Sequence, residues 1–172
     1  MHELHQHEQY FYDEATLDHL ANFLENWSTP CCICAPMLGK KLVQRDSPVT
    51  ILDIDERFAD LKGFRKYDIY RPQRLEQKFD LILCDPPFTK VSLSQLFAAL
   101  RILSQDDFDQ PILISFLASR TDAVVGTFAP FGITPTGYLP KYRTVRDVEE
   151  NKIEMFGNLS LEQQGNSIFP KK

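Results

Sequence analysis

The chain has 172 residues, a formal net charge of −5, and an ordinary balance of 43% hydrophobic and 25% charged residues. This composition is typical of a globular protein and argues against a broad basic surface that grips nucleic acid. No apolar run approaches the about 18 residues needed to span a bilayer. We therefore expect a single domain over residues 1–160, followed by a polar and loosely held tail over residues 161–172.

The cysteines and the first residues bear on the cellular compartment. Three of the four cysteines crowd together in the segment 31–34, where neighbouring strand residues point to opposite faces and are poorly placed to bridge one another. The segment 1–8 has neither the basic nor the apolar region of a secretion signal. Both features favour reduced thiols and a cytoplasmic location. We expect no metal site from these cysteines, or from His2, His5 and His7.

Hydrophobic patterns alternate between strands and helices along the chain. Asp13 precedes apolar residues at helical spacing and is the predicted N-cap of a first helix. Two β-like runs, 133–142 and 152–158, close the chain. This order predicts an α/β fold with a mostly parallel twisted sheet, helices on both faces and an antiparallel C-terminal strand pair. The other predicted strands are 31–35, 49–54, 67–70, 81–84 and 112–117, and the other predicted helices are 37–44, 93–103 and 122–128.

The most informative stretch is the apolar run Leu81–Cys84, which stops at Asp85-Pro86-Pro87-Phe88. A short apolar run bounded by turn residues is typical of a buried parallel strand. Two prolines cannot continue a strand ladder, so the chain leaves the strand rigidly, with a carboxylate, a carbonyl and an aromatic ring close together. Strand carboxyl ends are where open α/β sheets bind ligands. The alternative is a proline-rich turn in which Asp85 is a cap.

This tetrapeptide resembles motif IV of the S-adenosylmethionine-dependent methyltransferases that act on amino nitrogens. In such a site the Asp85 carboxylate and the Pro86 carbonyl would accept the two amine hydrogens and so aim the nitrogen lone pair. Pro87 would keep the turn rigid, and Phe88 would stack on a planar acceptor such as adenine. The glycine-rich loop that usually follows the first strand of these enzymes is missing, since none of the seven glycines forms a G-x-G.

Further segments resemble the N6-adenine methyltransferase-like family, which includes lysine methyltransferases acting on elongation factor 1A. The resemblance covers about residues 9–90 and implies a Rossmann-like class I methyltransferase that binds S-adenosylmethionine. The matching segments are Gln9–Tyr12, a Cys-Ala-Pro stretch at Cys31–Pro36 in place of the glycine loop, Asp53–Phe58, Tyr67-Asp68 and Phe79–Phe88.

The resemblance also implies roles for three acidic residues. Asp53 would hydrogen-bond the cofactor ribose, with Asp55 as the competing candidate. Asp68 would accept a hydrogen bond from the amine of the cofactor adenine. The structural alternatives are a helix cap for Asp55 and a turn residue for Asp68.

Two other segments are candidates for the walls of the same site. Ala35 and Pro36 would border the methionine part of the cofactor. Tyr10, Phe11 and Tyr12 would cover the pocket and contact substrate, unless these aromatic residues pack in the core.

The resemblance leaves the acceptor open between adenine in nucleic acid and a protein lysine. The Asp-Pro-Pro-Phe turn suits the neutral, planar adenine N6, whereas an acidic, compact chain suits a protein substrate at least as well. A third interpretation is a catalytically inactive partner subunit or RNA-binding module, because the glycine loop is missing. We expect an N-methyltransferase that needs no metal, does not enter membranes, and works alone or with an activating partner subunit.

Overall fold

A seven-stranded sheet is the centre of the computed structural model, which describes residues 1–165 and 169–170. The sheet order is β3-β2-β1-β4-β5-β7-β6, in which the first five strands of the chain run parallel and β7 runs antiparallel to both β5 and β6. The predicted mostly parallel sheet with an antiparallel C-terminal pair is therefore confirmed. The strands are β1 (Pro30–Ile33), β2 (Thr50–Asp53), β3 (Phe64–Lys66), β4 (Leu81–Cys84), β5 (Ile112–Leu117), β6 (Thr134–Pro135) and β7 (Ile153–Gly157).

Five α-helices surround the sheet within the described residues. The helices are α1 (Glu14–Leu24), α2 (Pro36–Gln44), α3 (Leu93–Leu103), α4 (Thr121–Thr127) and α5 (Leu161–Gln164). α1 packs on α2, and α3 packs on α4. α2 connects β1 to β2, and this connection runs toward one edge of the sheet. α3 connects β4 to β5 and runs toward the other edge. Because both connections are right-handed, the two helices lie on opposite faces of the sheet. None of these helices is long and apolar enough to cross a membrane.

Helices α1 and α3 begin where the sequence provides capping groups. The Asp13 side chain accepts a hydrogen bond from the backbone N–H of Thr16 at 2.8 Å, as predicted for the N-cap of α1. Ser92 and Gln95 form a reciprocal capping box at the start of α3. These caps leave the apolar faces of both helices free to pack on the sheet.

Helix α2 lies unusually close to the sheet because it contains Gly39. A Cβ atom built on Gly39 would stand 2.5 Å from Cγ1 of Ile51, a fully buried residue of β2. In dinucleotide-binding folds, a glycine at the start of the first helix serves the same close helix–strand packing. The chain thus keeps a packing glycine although it lacks a glycine-rich loop.

The third strand lies earlier in the chain than the predicted segment 67–70. β3 is an exposed edge strand whose polar residues give no apolar signal, and it pairs with β2 through Phe64 and Lys66. The ladder ends where the Tyr67 N–H donates to the carbonyl of Asp53 at 2.9 Å. The Asp68 side chain then accepts from the N–H of Tyr70 at 2.9 Å, which turns the chain away.

The predicted run 133–142 pairs with β7 only through β6, at Thr134 and Pro135. Gly137 has a φ of +82°, so the chain bends away from an extended course two residues later. Residues 141–143 pair instead with residues 11–13, through a bridge between Tyr12 and Tyr142. This non-local pairing carries the second part of the run across to the start of α1.

The tail beyond residue 160 is partly ordered against the domain. Leu161–Gln164 form α5 behind a capping box of Ser160 and Gln163. The Phe169 ring is buried and packs edge-to-face on Phe23 of α1, with centroids 5.3 Å apart. The expectation of a loose tail therefore does not hold for Phe169, and for residues 166–168 and 171–172 it falls outside the described part of the chain.

Candidate active site

A cavity of about 180 Å³ opens at the carboxyl ends of β1, β2 and β4. The sheet order changes direction between β1 and β4, and such a crevice is the usual ligand site of open α/β sheets. Four acidic residues contribute to its wall, namely Glu8, Asp53, Asp68 and Asp85. Lys90 also lines the cavity, but the acidic residues outnumber it, so the wall as a whole attracts a positively charged ligand.

Asp53 ends β2 and lies on the cavity wall. Its Oδ1 accepts a hydrogen bond from the backbone N–H of Asp55 at 2.8 Å. Burial raises the pKa of Asp53 from 3.8 to about 6, because the backbone hydrogen bonds offset only part of the cost of removing its charge from water. Near neutral pH the group is therefore a weakly hydrated carboxylate, which favours hydroxyl donors or a positive charge from a ligand.

Asp55 does not reach the cavity wall. Its carboxylate caps the short 3₁₀ turn Glu56–Phe58 and forms an ion pair with Arg57 at 2.6 Å. It also accepts a hydrogen bond from Gln9 Nε2 at 2.9 Å. Burial alone would raise the pKa of Asp55, but the hydrogen bonds from Arg57 and Gln9 outweigh burial and lower it. Of the two competing residues, Asp55 takes the structural role of a cap and Asp53 faces the cavity.

Asp68 lies on the cavity wall and is also a turn residue, which is the structural alternative considered for it from the sequence. Its Oδ1 accepts from the backbone N–H of Tyr70, and its carbonyl accepts from the N–H of Arg71 at 3.0 Å. The turn holds the carboxylate in place just beyond β3. The neighbouring Tyr67 and Tyr70 line the same wall, so an aromatic surface adjoins the acid.

The loop after β1 presents Cys34 to the cavity, while Ala35 and Pro36 are buried behind it. Cys34 has a φ of +58°, a left-handed conformation that favours glycine, and its N–H donates to the carbonyl of Leu52 at 3.0 Å. Pro36 is the first residue of α2, which has no side-chain cap. The cavity-facing residue of the predicted Cys-Ala-Pro stretch is therefore Cys34, and burial raises the pKa of its thiol well above the ordinary value.

Asp85 directly follows β4 and continues its pairing with β1, since its N–H donates to the carbonyl of Ile33 at 3.1 Å. Its Oδ1 accepts a hydrogen bond from the hydroxyl of Tyr142 at 2.7 Å. Burial raises the pKa of Asp85 well above its ordinary value; the Tyr142 bond acts in the opposite direction, and the nearby charge of Asp53 raises it further. The carboxyl group is thus held in one orientation inside a poorly hydrated wall.

The three residues after Asp85 also line the cavity. In the described part of the chain no donor is bonded to the carbonyl of Pro86, whereas that of Pro87 accepts from the N–H of Val91 at 3.2 Å. The Phe88 ring is 8% exposed and packs edge-to-face on Tyr142, with centroids 5.9 Å apart. The turn therefore brings together one carboxylate, one free carbonyl and one aromatic ring, as the sequence predicts.

Of the three aromatic residues predicted to cover the pocket, Tyr10 alone lies on the cavity wall. Phe11 and Tyr12 are 3% and 2% exposed and belong to the core. The Phe11 ring packs edge-to-face on Phe58, and the Tyr12 hydroxyl lies 2.6 Å from Oγ of Ser115. The core-packing alternative holds for these two residues.

The N-terminal segment His7–Tyr10 forms one side of the cavity. The Glu8 carboxylate accepts hydrogen bonds from the backbone N–H groups of Lys90 at 2.8 Å and Thr89 at 3.2 Å. Because Gln9 is bonded to Asp55, the segment joins the loop after β4 to the loop after β2. Sequence reasoning missed Glu8, since an acidic residue near a chain end carries no distinctive pattern.

Tyr142 is another residue that sequence reasoning missed. It is separated from Asp85 by 57 positions and lies at the end of a run that resembled an ordinary strand. No local pattern distinguishes a tyrosine that meets a distant carboxylate. Within residues 1–165 and 169–170, no group of three or more His, Cys, Asp or Glu is arranged to hold a metal ion.

The sheet order, the antiparallel β7 and the cavity beyond β1 and β4 define a class I methyltransferase fold. The same fold occurs in the magnesium protoporphyrin IX methyltransferase of Synechocystis, solved with bound S-adenosylmethionine, at 15% identity over 84% of this chain and 79% of that chain, with a TM-score of 0.59. It also occurs in a candidate RNA methyltransferase of Pyrococcus horikoshii, at 13% identity over 91% and 88% of the two chains, with a TM-score of 0.59. A TehB-like S-adenosylmethionine-dependent methyltransferase of Corynebacterium glutamicum shares 16% identity over 81% and 86%, with a TM-score of 0.52.

Residues 3–160 match the model of the family described as probable N6-adenine methyltransferase, and the chain belongs to that family. This match confirms the resemblance inferred from the motifs and extends it well beyond residue 90. No protein of curated function matches the sequence.

Proposed function

We propose that this protein is an S-adenosylmethionine-dependent methyltransferase that methylates an amino nitrogen, with adenine N6 in nucleic acid as the acceptor. The observation that carries the proposal is the position of Asp85, which faces the ligand cavity of the sheet together with Pro86 and Phe88. The family match and the solved methyltransferases of the same fold support a methyltransferase and its cofactor. The two hydrogen-bond acceptors, Asp85 and Pro86, and the aromatic ring of Phe88 support an amino nitrogen as the atom that is methylated.

The residues of the cavity fit S-adenosylmethionine, which when bound supplies a positively charged methylsulfonium. Asp53 would accept hydrogen bonds from the ribose hydroxyls, and Asp68 would accept one from the adenine amine. The first turn of α2 follows Ala35 and has no side-chain cap, so the backbone N–H groups of Met37 and Leu38 are available for a carboxylate, whereas Pro36 has none. The acidic wall favours the positive charge of the same ligand.

The present size of the cavity implies a movement of the N-terminal segment on binding. Its volume of about 180 Å³ lies below the roughly 300 Å³ at the lower end of small-molecule sites. The segment is held over the cavity by the exposed hydrogen bonds of Glu8 to Thr89 and Lys90, which are weak in water, and by the bond of Gln9 to Asp55. We propose that this segment opens to admit the cofactor and closes over it.

On the acceptor side, Asp85 and Pro86 would each accept one hydrogen of the amine. Two fixed acceptors hold the nitrogen in one orientation, and such positioning is a large source of rate enhancement. Phe88 would stack on the base, with Pro87 fixing the turn between the acceptors and the ring. Tyr10 lies on the same wall and offers a second aromatic contact.

A protein lysine is the second candidate acceptor, favoured by the charge of the cavity. Glu8, Asp53, Asp68 and Asp85 all line it, and a lysine ammonium is attracted to such a wall more strongly than neutral adenine is. A lysine must also lose a proton before it reacts, and the raised pKa of Asp85 suits a group that accepts one.

Calorimetric titration with S-adenosylmethionine and with its demethylated product tests the cofactor site. We expect micromolar binding that weakens at least about tenfold in Asp53→Asn, since a hydrogen bond between a hydroxyl and a carboxylate is worth that much. Asp60→Asn changes an exposed acid outside the cavity and should bind as the unmodified protein does. The absence of binding up to millimolar ligand would contradict the proposal and favour an inactive partner subunit.

Transfer of a radiolabelled methyl group identifies the acceptor. Adenine-containing RNA and DNA oligonucleotides and a cell lysate separated into protein and nucleic acid would be compared. We expect label on adenine N6, and its loss in Asp85→Asn with cofactor binding retained. Phe88→Ala should weaken oligonucleotide binding by about 1–3 kcal/mol, the value of one base–aromatic stack. Label on protein lysine would refute the adenine acceptor and support the alternative.

A further inference from the structure

Two tyrosine hydroxyls surround the buried Asp85. Tyr142 donates to Asp85 Oδ1 at 2.7 Å, and both residues are 8% exposed. A hydrogen bond from the hydroxyl of Tyr12 also lowers the pKa of Asp85. The same hydroxyl lies 2.6 Å from Oγ of Ser115, which is fully buried on β5. A hydrogen bond to a buried carboxylate is stronger than the same bond in water, and it restricts the orientation of the carboxylate.

Backbone pairing between distant parts of the chain builds this arrangement. The N–H of Asp13 donates to the carbonyl of Lys141, and the N–H of Arg143 donates to that of Phe11, both at 2.9 Å. The Tyr12 and Tyr142 rings consequently lie side by side, with centroids 5.0 Å apart. The hydroxyl of Tyr142 is thus positioned by rigid backbone on both sides rather than by a mobile loop.

Tyr142 touches both working parts of the Asp85–Phe88 turn. Its hydroxyl binds the Asp85 carboxylate, and its ring meets Phe88 edge-to-face at 5.9 Å with planes at 90°. One side chain therefore sets the orientation of the carboxylate and of the aromatic ring that follow β4. The hydrogen bond from Tyr142 uses Oδ1 of Asp85, and the Asp85 side chain contributes to the cavity wall.

We propose that Tyr142 is a positioning residue for methyl transfer, which fixes Asp85 so that its second oxygen accepts the amine hydrogen. This inference rests on the proposed function. It adds a residue from the C-terminal part of the chain to a site otherwise formed by the ends of the first four strands and the N-terminal segment. Tyr142 acts through Asp85 and Phe88 and does not itself lie on the cavity wall.

The hydrogen bond also bears on the ionisation of Asp85. The ionisable groups facing Asp85 are Asp53 on β2, the thiols of Cys34 and Cys84, and the hydroxyls of Tyr12 and Tyr142. Burial and the charge of Asp53 raise the pKa of Asp85, and the Tyr142 bond lowers it. Removal of this hydroxyl therefore raises the pKa further, and a smaller fraction of Asp85 is ionised at a given pH.

Tyr142→Phe removes the hydroxyl and keeps the ring contacts with Phe88 and Tyr12. We expect kcat to fall about 10- to 100-fold, the loss that corresponds to one hydrogen bond to a charged group. The acid limb of the kcat profile should move to higher pH, while cofactor affinity stays within about twofold. Tyr138→Phe, on the same half-buried segment but outside the cavity and away from Asp85, should behave as the unmodified enzyme.

A readout without turnover separates this inference from the proposed function. The pKa of Asp85 is followed by NMR with ¹³C-labelled aspartate carboxyls, assigned by Asp85→Asn, and should be higher in Tyr142→Phe even where no acceptor is methylated. An unchanged Asp85 pKa, or an unchanged kcat and pH profile in an active enzyme, would overturn the inference. Loss of kcat equally at every pH, together with lost cofactor binding, would also overturn it and assign Tyr142 to the core alone.

Discussion

Replacement of Asp53 by Asn should stabilise the free protein while it weakens the cofactor site. Asp53 is 7% exposed, and burial raises its pKa from an ordinary 3.8 to about 6. The folded protein therefore binds this proton more tightly than the unfolded chain does. The resulting free-energy difference favours folding below pH 3.8 and is lost as the pH rises through about 6.

The magnitude follows from the two pKa values. One pKa unit equals about 1.4 kcal/mol, so the difference between 3.8 and about 6 corresponds to about 3 kcal/mol. Above pH 6 the folded protein is less stable by this amount than it is with Asp53 protonated. An Asn amide carbonyl still accepts the hydrogen bond from the Asp55 N–H and carries no charge to desolvate. We expect Asp53→Asn to raise the free energy of unfolding by up to about 3 kcal/mol at pH 8, and by close to nothing below pH 4.

Urea denaturation of both proteins between pH 4 and 8 measures this difference. Asp55→Asn is the matched comparison with the opposite sign, because hydrogen bonds from Arg57 and Gln9 lower the pKa of Asp55. The stability that Asp55 provides is present above pH 3.8 and is lost as the pH falls through its lower folded value, so this variant should be destabilised at pH 8. An Asp53→Asn variant that is less stable than the unmodified protein at pH 8 would refute the reasoning.

Two substitutions in the helices test the packing and capping arguments by chemical denaturation. Gly39→Ala should lower the free energy of unfolding by about 1–3 kcal/mol, because the new methyl group would overlap Ile51. Gly126→Ala adds its methyl group in open space and should be neutral or stabilising by up to about 1 kcal/mol. Equal effects of the two substitutions would disprove the close approach of α2 to the sheet. Asp13→Ala should lower the free energy of unfolding by about 1 kcal/mol, because the hydrogen bond from the Thr16 N–H is lost. Asn caps helices as well as Asp does, so an equal loss of stability in Asp13→Asn would argue against the cap.

Local sequence patterns were sufficient for the central part of the fold. β4, α3 and β5 have the predicted bounds, because buried parallel strands show as short apolar runs and amphipathic helices as periodic ones. The edge strand β3 lies earlier in the chain than the sequence predicts, since an exposed edge strand carries no apolar run. The second half of the run 133–142 pairs with residues 11–13 and not with β7, a partner that local patterns do not predict because the two segments are far apart in the chain.

For the candidate site, too, local sequence patterns predict some residues, and the roles of others depend on contacts between distant parts of the chain. From the apolar runs alone, Asp53 and Asp85 are expected at the carboxyl ends of parallel strands, which reach the same edge of a sheet. In the structure these strands are β2 and β4, with β1 between them. Contacts between distant segments were needed to show that Asp55 is a cap, that Phe11 and Tyr12 belong to the core, and that Tyr142 meets Asp85 across 57 positions. Strand and turn propensities act between near neighbours in the chain, whereas burial and side-chain hydrogen bonds such as these arise when distant segments pack together.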